Sequence, residues 1–234
     1  MPLRAVTLDA GGTLIAPAEP VGVTYARVAA AHGIVAEATL LERGFRDAFA
    51  GAPPLAFPGL AGTACRAAER AWWRAVVAHA FGAAAAEPGF EPAFAALFAH
   101  YAHGDAWRVL PGAVATLAAL RARGLRLAVV SNFDARLHRV LADLGLAAAV
   151  ERVLASTEVG SAKPSAGIFT AACAALGVEA GDVLHVGDAP CEDAAGARAA
   201  GLRAVLVGPG PPAGGGVARI ARLDALPGLV DAQA

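Results

Sequence analysis

Short apolar runs alternate with helix-like patterns of apolar and polar positions from Val109 onward. The apolar runs predict strands over residues 125–130, 152–155, 183–186 and 203–207. The segments between them predict helices that end at Gly124, Gly145, Gly177 and Gly201, because glycine takes the left-handed C-cap conformation without steric cost. Residues 217–229 predict one more short strand and a turn of helix. This alternation is typical of a parallel sheet wound with helices.

The N-terminal half of the chain has a different pattern. Residues 3–8 predict one buried strand, which is followed at once by Asp9 and a glycine turn. From Pro17 to Trp107 there is no good strand pattern, and alanine-rich helices are broken by prolines and glycines. We therefore predict an α/β fold with two domains. Residues 1–16 and 107–234 form a doubly wound parallel sheet, and residues 17–106 form an inserted all-helical domain.

Alanine supplies much of the apolar composition. The hydrophobic fraction is 57% and the mean hydropathy is +0.54, but alanine is a helix former of small apolar area. The uncharged stretch from Ala48 to Cys65 contains three prolines, which would break a membrane-spanning helix. We therefore expect no transmembrane segment. The net charge of −1 gives no electrostatic reason to expect nucleic acid or an anionic membrane as a partner.

The cysteines and the first residues bear on the cellular compartment. Cys65, Cys173 and Cys191 are an odd number without CxxC spacing, so we expect free thiols rather than disulfides or a zinc site. The apolar run before Asp9 is too short for a signal peptide. These features predict a cytoplasmic protein, whose oligomeric state the sequence leaves open.

Polar residues stand where three of the predicted strands end. Asp9 follows the first strand, Ser131-Asn132 follow the strand over 125–130, and Asp188 follows the strand over 183–186. The carboxyl ends of parallel strands lie at one edge of the sheet, where ligands bind near the reversal of winding. We therefore expect these residues to converge. Each alone is also explained as a turn former or a helix start, and only the set favours a functional site.

The same set favours phosphoryl transfer to an aspartate. Asp9 is the candidate nucleophile, which would form an aspartyl phosphate. Asp188 is a candidate to share Mg²⁺ with Asp9, because that ion prefers oxygen ligands. Lys163 would neutralise charge on the phosphoryl oxygens, while Ser131 and backbone amides of the glycine turn would donate hydrogen bonds to them. Asp193 would orient Lys163 or a metal-bound water.

The order of these residues resembles that of the haloacid dehalogenase-like hydrolases. The resemblance lies in Asp9-Ala10-Gly11-Gly12-Thr13, Ser131-Asn132, Lys163-Pro164 and Gly187-Asp188-Ala189-Pro190-Cys191-Glu192-Asp193. It implies a Rossmann-like core, a helical cap that closes over the site and selects substrates, a small phosphorylated substrate, and Mg²⁺ as the cofactor. The implied roles are catalysis for Asp9 and Lys163, phosphate binding for Gly12, Thr13, Ser131 and Asn132, and Mg²⁺ binding for Asp9, Asp188 and the Gly11 carbonyl.

One position departs from the family pattern. The resemblance implies a second aspartate two residues after the nucleophile, which protonates the leaving group and then activates water, and here that residue is Gly11. Losing a general acid–base group that supplies about 10²- to 10⁴-fold raises the barrier by about 3 to 5.5 kcal/mol. Glycine keeps the backbone carbonyl, so Mg²⁺ binding can survive. We therefore expect a weak or leaving-group-selective phosphatase.

Two other functions stay open. A 2-haloacid dehalogenase uses the same aspartate and lacks the second acid, but such enzymes are metal-independent and use an arginine for the halide. Arg27, Arg43 and Arg46 are the candidates for that arginine, with no means of choosing among them. A non-catalytic binder of a phosphorylated ligand would also retain Lys163 and Asp188, because burying such groups without partners is costly.

Two more expectations concern packing. We expect the cavity between the helical insert and the core near Arg27, Arg46 and Trp72. His185 lies inside an apolar strand, and we interpret it as a buried histidine with hydrogen-bond partners rather than a metal ligand.

Overall fold

Parallel strands form the central sheet of the protein. The computed structural model describes residues 2–211 and 216–232. Its strands are β1 (Ala5–Leu8), β2 (Ile15–Pro17), β3 (Trp107–Val109), β4 (Arg126–Ser131), β5 (Arg152–Ala155), β6 (Val183–Gly187), β7 (Arg203–Val207) and β8 (Ala218–Ile220). Six of them form one sheet in the order β5-β4-β1-β6-β7-β8, with every neighbouring pair parallel.

The winding of the sheet reverses at β1. The chain builds outward from β1 through β4 to β5, returns to β6 on the other side of β1, and continues to β7 and β8. The predicted doubly wound parallel sheet is therefore confirmed. Because ligands bind beyond the carboxyl ends of the strands at such a reversal, residue Asp9, directly after β1, lies at the favoured place.

Helices cover both faces of the sheet and form a separate group between β2 and β3. They are α1 (Val21–Ala31), α2 (Ala38–Gly51), α3 (Gly62–Phe81), α4 (Phe90–His100), α5 (Ala113–Ala122), α6 (Arg136–Asp143), α7 (Ser156–Val159), α8 (Ala166–Leu176), α9 (Gly196–Ala199) and α10 (Leu226–Asp231). Alternate residues of β1 enter different clusters, with Val6 and Leu8 in one and Ala5 in the other. The sheet is thus buried on both faces, as its apolar runs require.

The predicted element boundaries agree closely with the structure. Strands β5 and β7 have the predicted bounds, β4 is shifted by one residue to Arg126–Ser131, and β6 also includes Gly187. The four glycines that were predicted to end helices all have positive φ, between 60° and 86°. Glycine takes this conformation without the steric cost that a Cβ brings. The helix ends were therefore predicted for the right physical reason.

The predicted absence of strands from Pro17 to Trp107 is wrong at its two ends. Strands β2 and β3 pair antiparallel, with Pro17 opposite Trp107. Each strand has only three residues, too few for a two-residue periodicity to show in the sequence. The predicted domain division, at 16/17 and 106/107, falls within this two-stranded ribbon and stays a prediction.

Helices α1–α4 are here called the helical segment. Within it, α3 makes the contacts to the rest of the protein that are described next. Glu69 is 4% exposed, and its Oε1 accepts hydrogen bonds from Thr157 Oγ1 at 2.6 Å and from the Ala135 amide at 3.3 Å. One turn later, Trp73 Nε1 donates to the buried Asp134 Oδ2 at 2.5 Å. Buried polar groups are costly unless paired, so these contacts fix how α3 lies on the loops after β4 and β5.

The helices and the thiols of the structure agree with two expectations from the sequence. Within residues 2–211 and 216–232, no helix combines the length and the apolar character needed to cross a bilayer. Cys65, Cys173 and Cys191 are all free thiols, as predicted.

Candidate active site

The predicted site residues meet at the carboxyl edge of the sheet. Asp9 follows β1, Ser131 ends β4, and Asp188 follows β6, and these strands are neighbours in the sheet. One carboxylate oxygen each from Asp9, Asp188 and Asp193 lies within 4.8 Å of the others. These three residues therefore lie at one edge of the sheet, as the sequence predicted, and the structure shows in addition that their strands are neighbours.

Asp9 is held by its backbone and by one carboxylate oxygen. Its amide donates to the Val186 carbonyl at 2.9 Å. Its Oδ1 accepts from the Ala10 amide at 2.7 Å and lies 2.9 Å from Lys163 Nζ. Among the residues that the structure describes, none donates a hydrogen bond to Oδ2 of Asp9. The lone pairs of that oxygen are therefore free.

Lys163 is a buried cation between two carboxylates. Its side chain is 2% exposed, and Nζ lies 2.9 Å from Asp9 Oδ1 and 2.6 Å from Asp193 Oδ1. Burial opposes the charge, but Asp9 and Asp193 outweigh it and hold the pKa of Lys163 above its ordinary value. The ammonium is therefore retained at neutral pH.

Asn132 supports Lys163 in the structure. Its Nδ2 donates to the Lys163 carbonyl at 2.9 Å, and its Oδ1 accepts from the Lys163 amide at 2.7 Å. Both polar groups of this side chain are thus engaged with the backbone of the lysine. Phosphate binding by Asn132 stays a prediction, and the contact that the structure shows is one that positions the lysine.

Asp188 faces two other acids. It is partly exposed, and Thr13 Oγ1 donates to its Oδ1 over 3.4 Å. Burial and the charges of Asp9 and Asp193 raise its pKa to about 6. The positive charge of Lys163 acts in the opposite direction on this pKa but is outweighed.

A hard divalent cation fits this donor set. The ligand atoms on offer are carboxylate oxygens, which suit Mg²⁺ rather than a thiol-preferring metal. A Cβ built on Gly12 would lie 2.4 Å from Asp188 Oδ2, so the backbone approaches the carboxylate more closely than any side chain would permit. Asp193 is already bound by protein donors, which leaves Asp9 and Asp188 as the acids available to a cation.

Asp193 lies in a one-turn π-helical segment, Pro190–Ala195. Its Oδ1 contacts Lys163 Nζ at 2.6 Å and His185 Nε2 at 3.1 Å, and its Oδ2 accepts from the Ala189 amide at 2.9 Å. Burial acts against ionisation, but His185 and Lys163 outweigh it and hold the pKa of Asp193 well below its ordinary value. Asp193 therefore stays ionised and fixes the ammonium of Lys163.

His185 extends this network and was not predicted to take part in it. It is fully buried, and burial lowers its pKa, so the ring is neutral. Asp193 can only accept, which assigns the proton to Nε2 and leaves Nδ1 to accept from Thr7 Oγ1 at 2.9 Å. The prediction of a buried, hydrogen-bonded histidine is confirmed. The signal in the sequence was that Thr7 and His185 are each a polar residue inside an apolar strand, and the structure shows that they lie directly opposite each other.

The two adjacent glycines of the turn differ in their surroundings. Gly12 has φ +80° and its Cβ would overlap Asp188, whereas Gly11 has no neighbouring atom within 4 Å of a Cβ. We expect Gly12→Ala to lower the free energy of unfolding by about 1–3 kcal/mol through backbone strain and overlap. The measurement is urea unfolding.

Gly11→Ala is the matched control for this prediction, because it adds the same methyl group one residue earlier in the same turn. We expect its stability to stay within about 0.5 kcal/mol of wild type. Equal effects of the two substitutions would contradict the close approach of Gly12 to Asp188.

A cavity of about 100 Å³ lies between the helical segment and the core, and we call it the aromatic cavity. Most of its wall consists of ring and aliphatic side chains. The lining residues are Pro17, Val21, Tyr25, Phe45, Trp73, Val77, Phe94, Leu97, Phe98, Tyr101, Trp107, Phe133 and Arg136.

The cavity lies where it was expected, because Tyr25, Phe45 and Trp73 line it, but the three residues named in the expectation do not. Arg27 and Arg46 form exposed ion pairs with Glu19 and Glu42, and neither arginine lines the cavity. Trp72 Nε1 donates instead to the Pro53 carbonyl, on the outer side of the helical segment. The reason is that charged residues on an amphipathic helix turn toward water when partners are available there.

Comparisons with known proteins give consistent results. A family model described as haloacid dehalogenase-like hydrolase matches residues 3–201. The chain is 40% identical over 207 residues to haloacid dehalogenase-like hydrolase domain-containing protein 3 of Mus musculus, covering 88% of this chain and 82% of that protein. It is 34% identical over 241 residues to a plasmid-borne phosphoglycolate phosphatase of Cupriavidus necator, covering 98% and 94%.

A solved structure shows the same fold. L-2-haloacid dehalogenase from Xanthobacter autotrophicus superposes with a TM-score of 0.73, at 20% identity, over 99% of this chain and 100% of that one. At this identity, the likeness shows the fold alone.

Proposed function

The chain belongs to the haloacid dehalogenase-like hydrolases, and on that premise we propose that it is a Mg²⁺-dependent phosphatase of small phosphorylated metabolites. The observation that carries the proposal is the arrangement of Asp9, Lys163, Asp188 and Asp193 at one edge of the sheet. A buried lysine beside a carboxylate nucleophile, with a second acid facing it, suits the transfer of an anionic group.

In the proposed reaction Asp9 is the nucleophile. Its Oδ1 is occupied by Lys163 and a backbone amide, which leaves Oδ2 to attack phosphorus. The bond between Oδ2 and phosphorus forms as the bond to the leaving oxygen breaks, and the leaving group takes that electron pair. Water then hydrolyses the aspartyl phosphate, which releases inorganic phosphate and restores Asp9. Lys163 stabilises the negative charge on the phosphoryl oxygens.

Asp9, Asp188 and the Gly11 carbonyl would hold the Mg²⁺. When bound, the ion supplies positive charge against the phosphate and the carboxylates. Thr13, Ser131 and the Gly12 amide would bind the phosphoryl oxygens, and Asp193 would act through Lys163.

The helical segment is proposed as the cap of this site. Helix α3 contacts residues 134–135 and 157, which follow the carboxyl ends of β4 and β5. The segment therefore lies on the same edge of the sheet as Asp9. A covering placed there would exclude water from the phosphoryl transfer and would contact the leaving group.

Gly11 sets a limit on the proposed activity. No side chain at that position protonates the leaving group, so esters of alcohols that are stable as anions should react much faster than alkyl esters. The plasmid-borne relative is named for phosphoglycolate, whose leaving oxygen is an alkyl alkoxide. We therefore do not extend that substrate to this chain.

The test uses 4-nitrophenyl phosphate, whose leaving group needs no acid. We expect hydrolysis by the wild type with Mg²⁺, and none with chelator or in Asp9→Asn with Mg²⁺. Activity that survives in Asp9→Asn would overturn the nucleophile, and activity that survives with chelator would overturn the metal dependence.

Inactivity under all conditions would favour the two remaining functions. A parallel assay for halide release from 2-chloropropionate without Mg²⁺ separates the dehalogenase from the non-catalytic binder. The cluster formed by Asp9, Asp188 and Asp193 favours neither of them over the phosphatase, because a bound cation would stabilise its negative charges.

A further inference from the structure

Thr7 and His185 form a polar pair inside the apolar sheet. They lie directly opposite each other in β1 and β6, and both side chains are fully buried. Thr7 Oγ1 donates to Nδ1 of the histidine at 2.9 Å. Burying two polar groups among apolar residues is costly unless each has a partner. Among the described residues, the side chains of this pair have one further hydrogen-bond partner, Asp193. Any effect of the pair on the site therefore passes through that carboxylate.

The imidazole of His185 is held in one orientation. Its Nε2 lies 3.1 Å from Asp193 Oδ1. A carboxylate only accepts, so Nε2 carries a proton whether the ring is neutral or charged. On the other side, the fully buried Phe169 of α8 packs edge to face against the imidazole, with ring centroids 5.0 Å apart. Because Thr7 and Phe169 also fix the ring, its N–H has one direction, toward Asp193.

Two donors share one oxygen of Asp193. His185 Nε2 lies 3.1 Å from Oδ1, and Lys163 Nζ lies 2.6 Å from the same atom. Nζ also lies 2.9 Å from Asp9 Oδ1, so two acids compete for one ammonium and the shorter contact is to Asp193. A second donor on Oδ1 takes up part of its negative charge. Without that donor, Lys163 would be drawn further toward Asp193 and away from Asp9.

The position of Lys163 matters because of its third proton. An ammonium has three donors, and two of them face Asp9 and Asp193. The third is the one that can reach a phosphoryl oxygen, and its direction is set by the other two. A misplacement of about 1 Å in an active site can cost on the order of 10²-fold in rate. The balance between the two acids therefore controls the aim of this proton.

We propose that His185 is a positioning residue of the active site. Its Nε2–H holds Asp193 so that the Lys163 ammonium stays shared with Asp9 and directed at the phosphoryl group. This inference rests on the proposed function. It gives the buried pair of Thr7 and His185 a role that two apolar strand residues could not fill.

The test contrasts two amide substitutions at His185. In His185→Gln the amide nitrogen can take the place of Nε2 and donate to Asp193. The shorter side chain of His185→Asn can still face Thr7 but does not reach Asp193. For 4-nitrophenyl phosphate with Mg²⁺, we expect kcat of the glutamine variant within about threefold of wild type and kcat of the asparagine variant lower by about tenfold or more. KM should change less than kcat, because Lys163 is misdirected rather than removed.

Thr116→Val is the matched control for the loss of a buried hydrogen bond. Thr116 is 1% exposed, and its Oγ1 donates to the Leu223 carbonyl at 3.1 Å, outside the described site. We expect this variant to unfold at lower urea concentration with the kcat of wild type. If His185→Asn does not fold, His185→Met replaces it, since methionine fills the space without a donor. Equal kcat in the glutamine and donor-free variants, or an equal loss in Thr116→Val, would overturn the proposal while the phosphatase assignment stands.

A binding measurement covers the case in which wild type hydrolyses no ester. Calorimetry with inorganic phosphate and Mg²⁺ applies also to a non-catalytic binder, because Lys163 would face the phosphate there too. We expect the Kd of His185→Asn to rise about tenfold, the size of one charge-assisted hydrogen bond, and that of His185→Gln to stay near wild type. Equal affinity in all three proteins would overturn the positioning role. Absence of phosphate binding by wild type would overturn it together with the proposed function.

Discussion

Gly11→Asp should raise kcat/KM for ethyl phosphate by about 10²- to 10⁴-fold, the range that a positioned general acid supplies. The backbone already accommodates the side chain, because no neighbouring atom lies within 4 Å of a Cβ at Gly11. Gly11 is also not among the glycines with positive φ. The aspartate would therefore enter open space two residues after the nucleophile, without backbone strain.

The leaving-group dependence is the measurement that isolates this effect. We expect the gain to be large for ethyl phosphate and small for 4-nitrophenyl phosphate, since a nitrophenolate leaves without a proton. Gly11→Asn is the matched control, because it has nearly the same size and hydrogen-bonding atoms but no acidic proton. A similar gain in Gly11→Asn, or equal gains on both esters, would show that the substitution acts through binding or loop order instead.

Lys163→Met should be the most damaging single change at the site. It removes the cation that lies 2.9 Å from Asp9 and 2.6 Å from Asp193 and leaves their charges without compensation. Removing one partner of a buried ion pair costs about 3–5 kcal/mol of stability. We also expect phosphatase turnover to be lost, because no other cation of the chain contacts Asp9 among the described residues.

Urea unfolding with an activity assay checks this prediction, and its pH dependence adds a second test. The pKa of Asp193 is lowered in the folded wild type, so its contribution to stability is fully present above about pH 4 and is lost as the pH falls below that value toward the lower folded-state pKa. The variant should instead gain stability on acidification, as protonation relieves the repulsion among the three acids. The difference between the two proteins should therefore shrink toward low pH.

Arg139→Met supplies the control for Lys163→Met. Arg139 pairs with Asp143 through a side chain that is 62% exposed, and such surface pairs contribute about 0–1 kcal/mol. A loss for Lys163→Met no larger than that of Arg139→Met would contradict the buried network.

The sequence predicted the site best where strand topology alone determines position. Asp9, Ser131 and Asp188 each follow or end an apolar run, and parallel strands bring such ends to one edge. The same reasoning could not order the strands by itself. The placement of β1 between β4 and β6 depends on connections whose direction local patterns do not contain.

Contacts between residues that are distant in the chain could not be predicted from the sequence. The hydrogen bond between Asn132 and Lys163 joins residues that are 31 positions apart in the sequence, and the one between Glu69 and Thr157 joins residues 88 positions apart. Helical periodicity shows which face of α3 is buried but not what it is buried against. For that reason the cavity could be expected near Arg27, Arg46 and Trp72, but the sequence did not show that Arg136 is the cation in its wall.

The contacts of α3 also decide how independent the helical segment is from the sheet. Thr157 and Asp134 are fully buried, and their partners Glu69 and Trp73 belong to α3. If the helical segment were cut out and the ends rejoined, both core residues would lose a partner in the same step. A helical segment taken from another protein would therefore need a donor for Asp134 and an acceptor for Thr157 at the same two places.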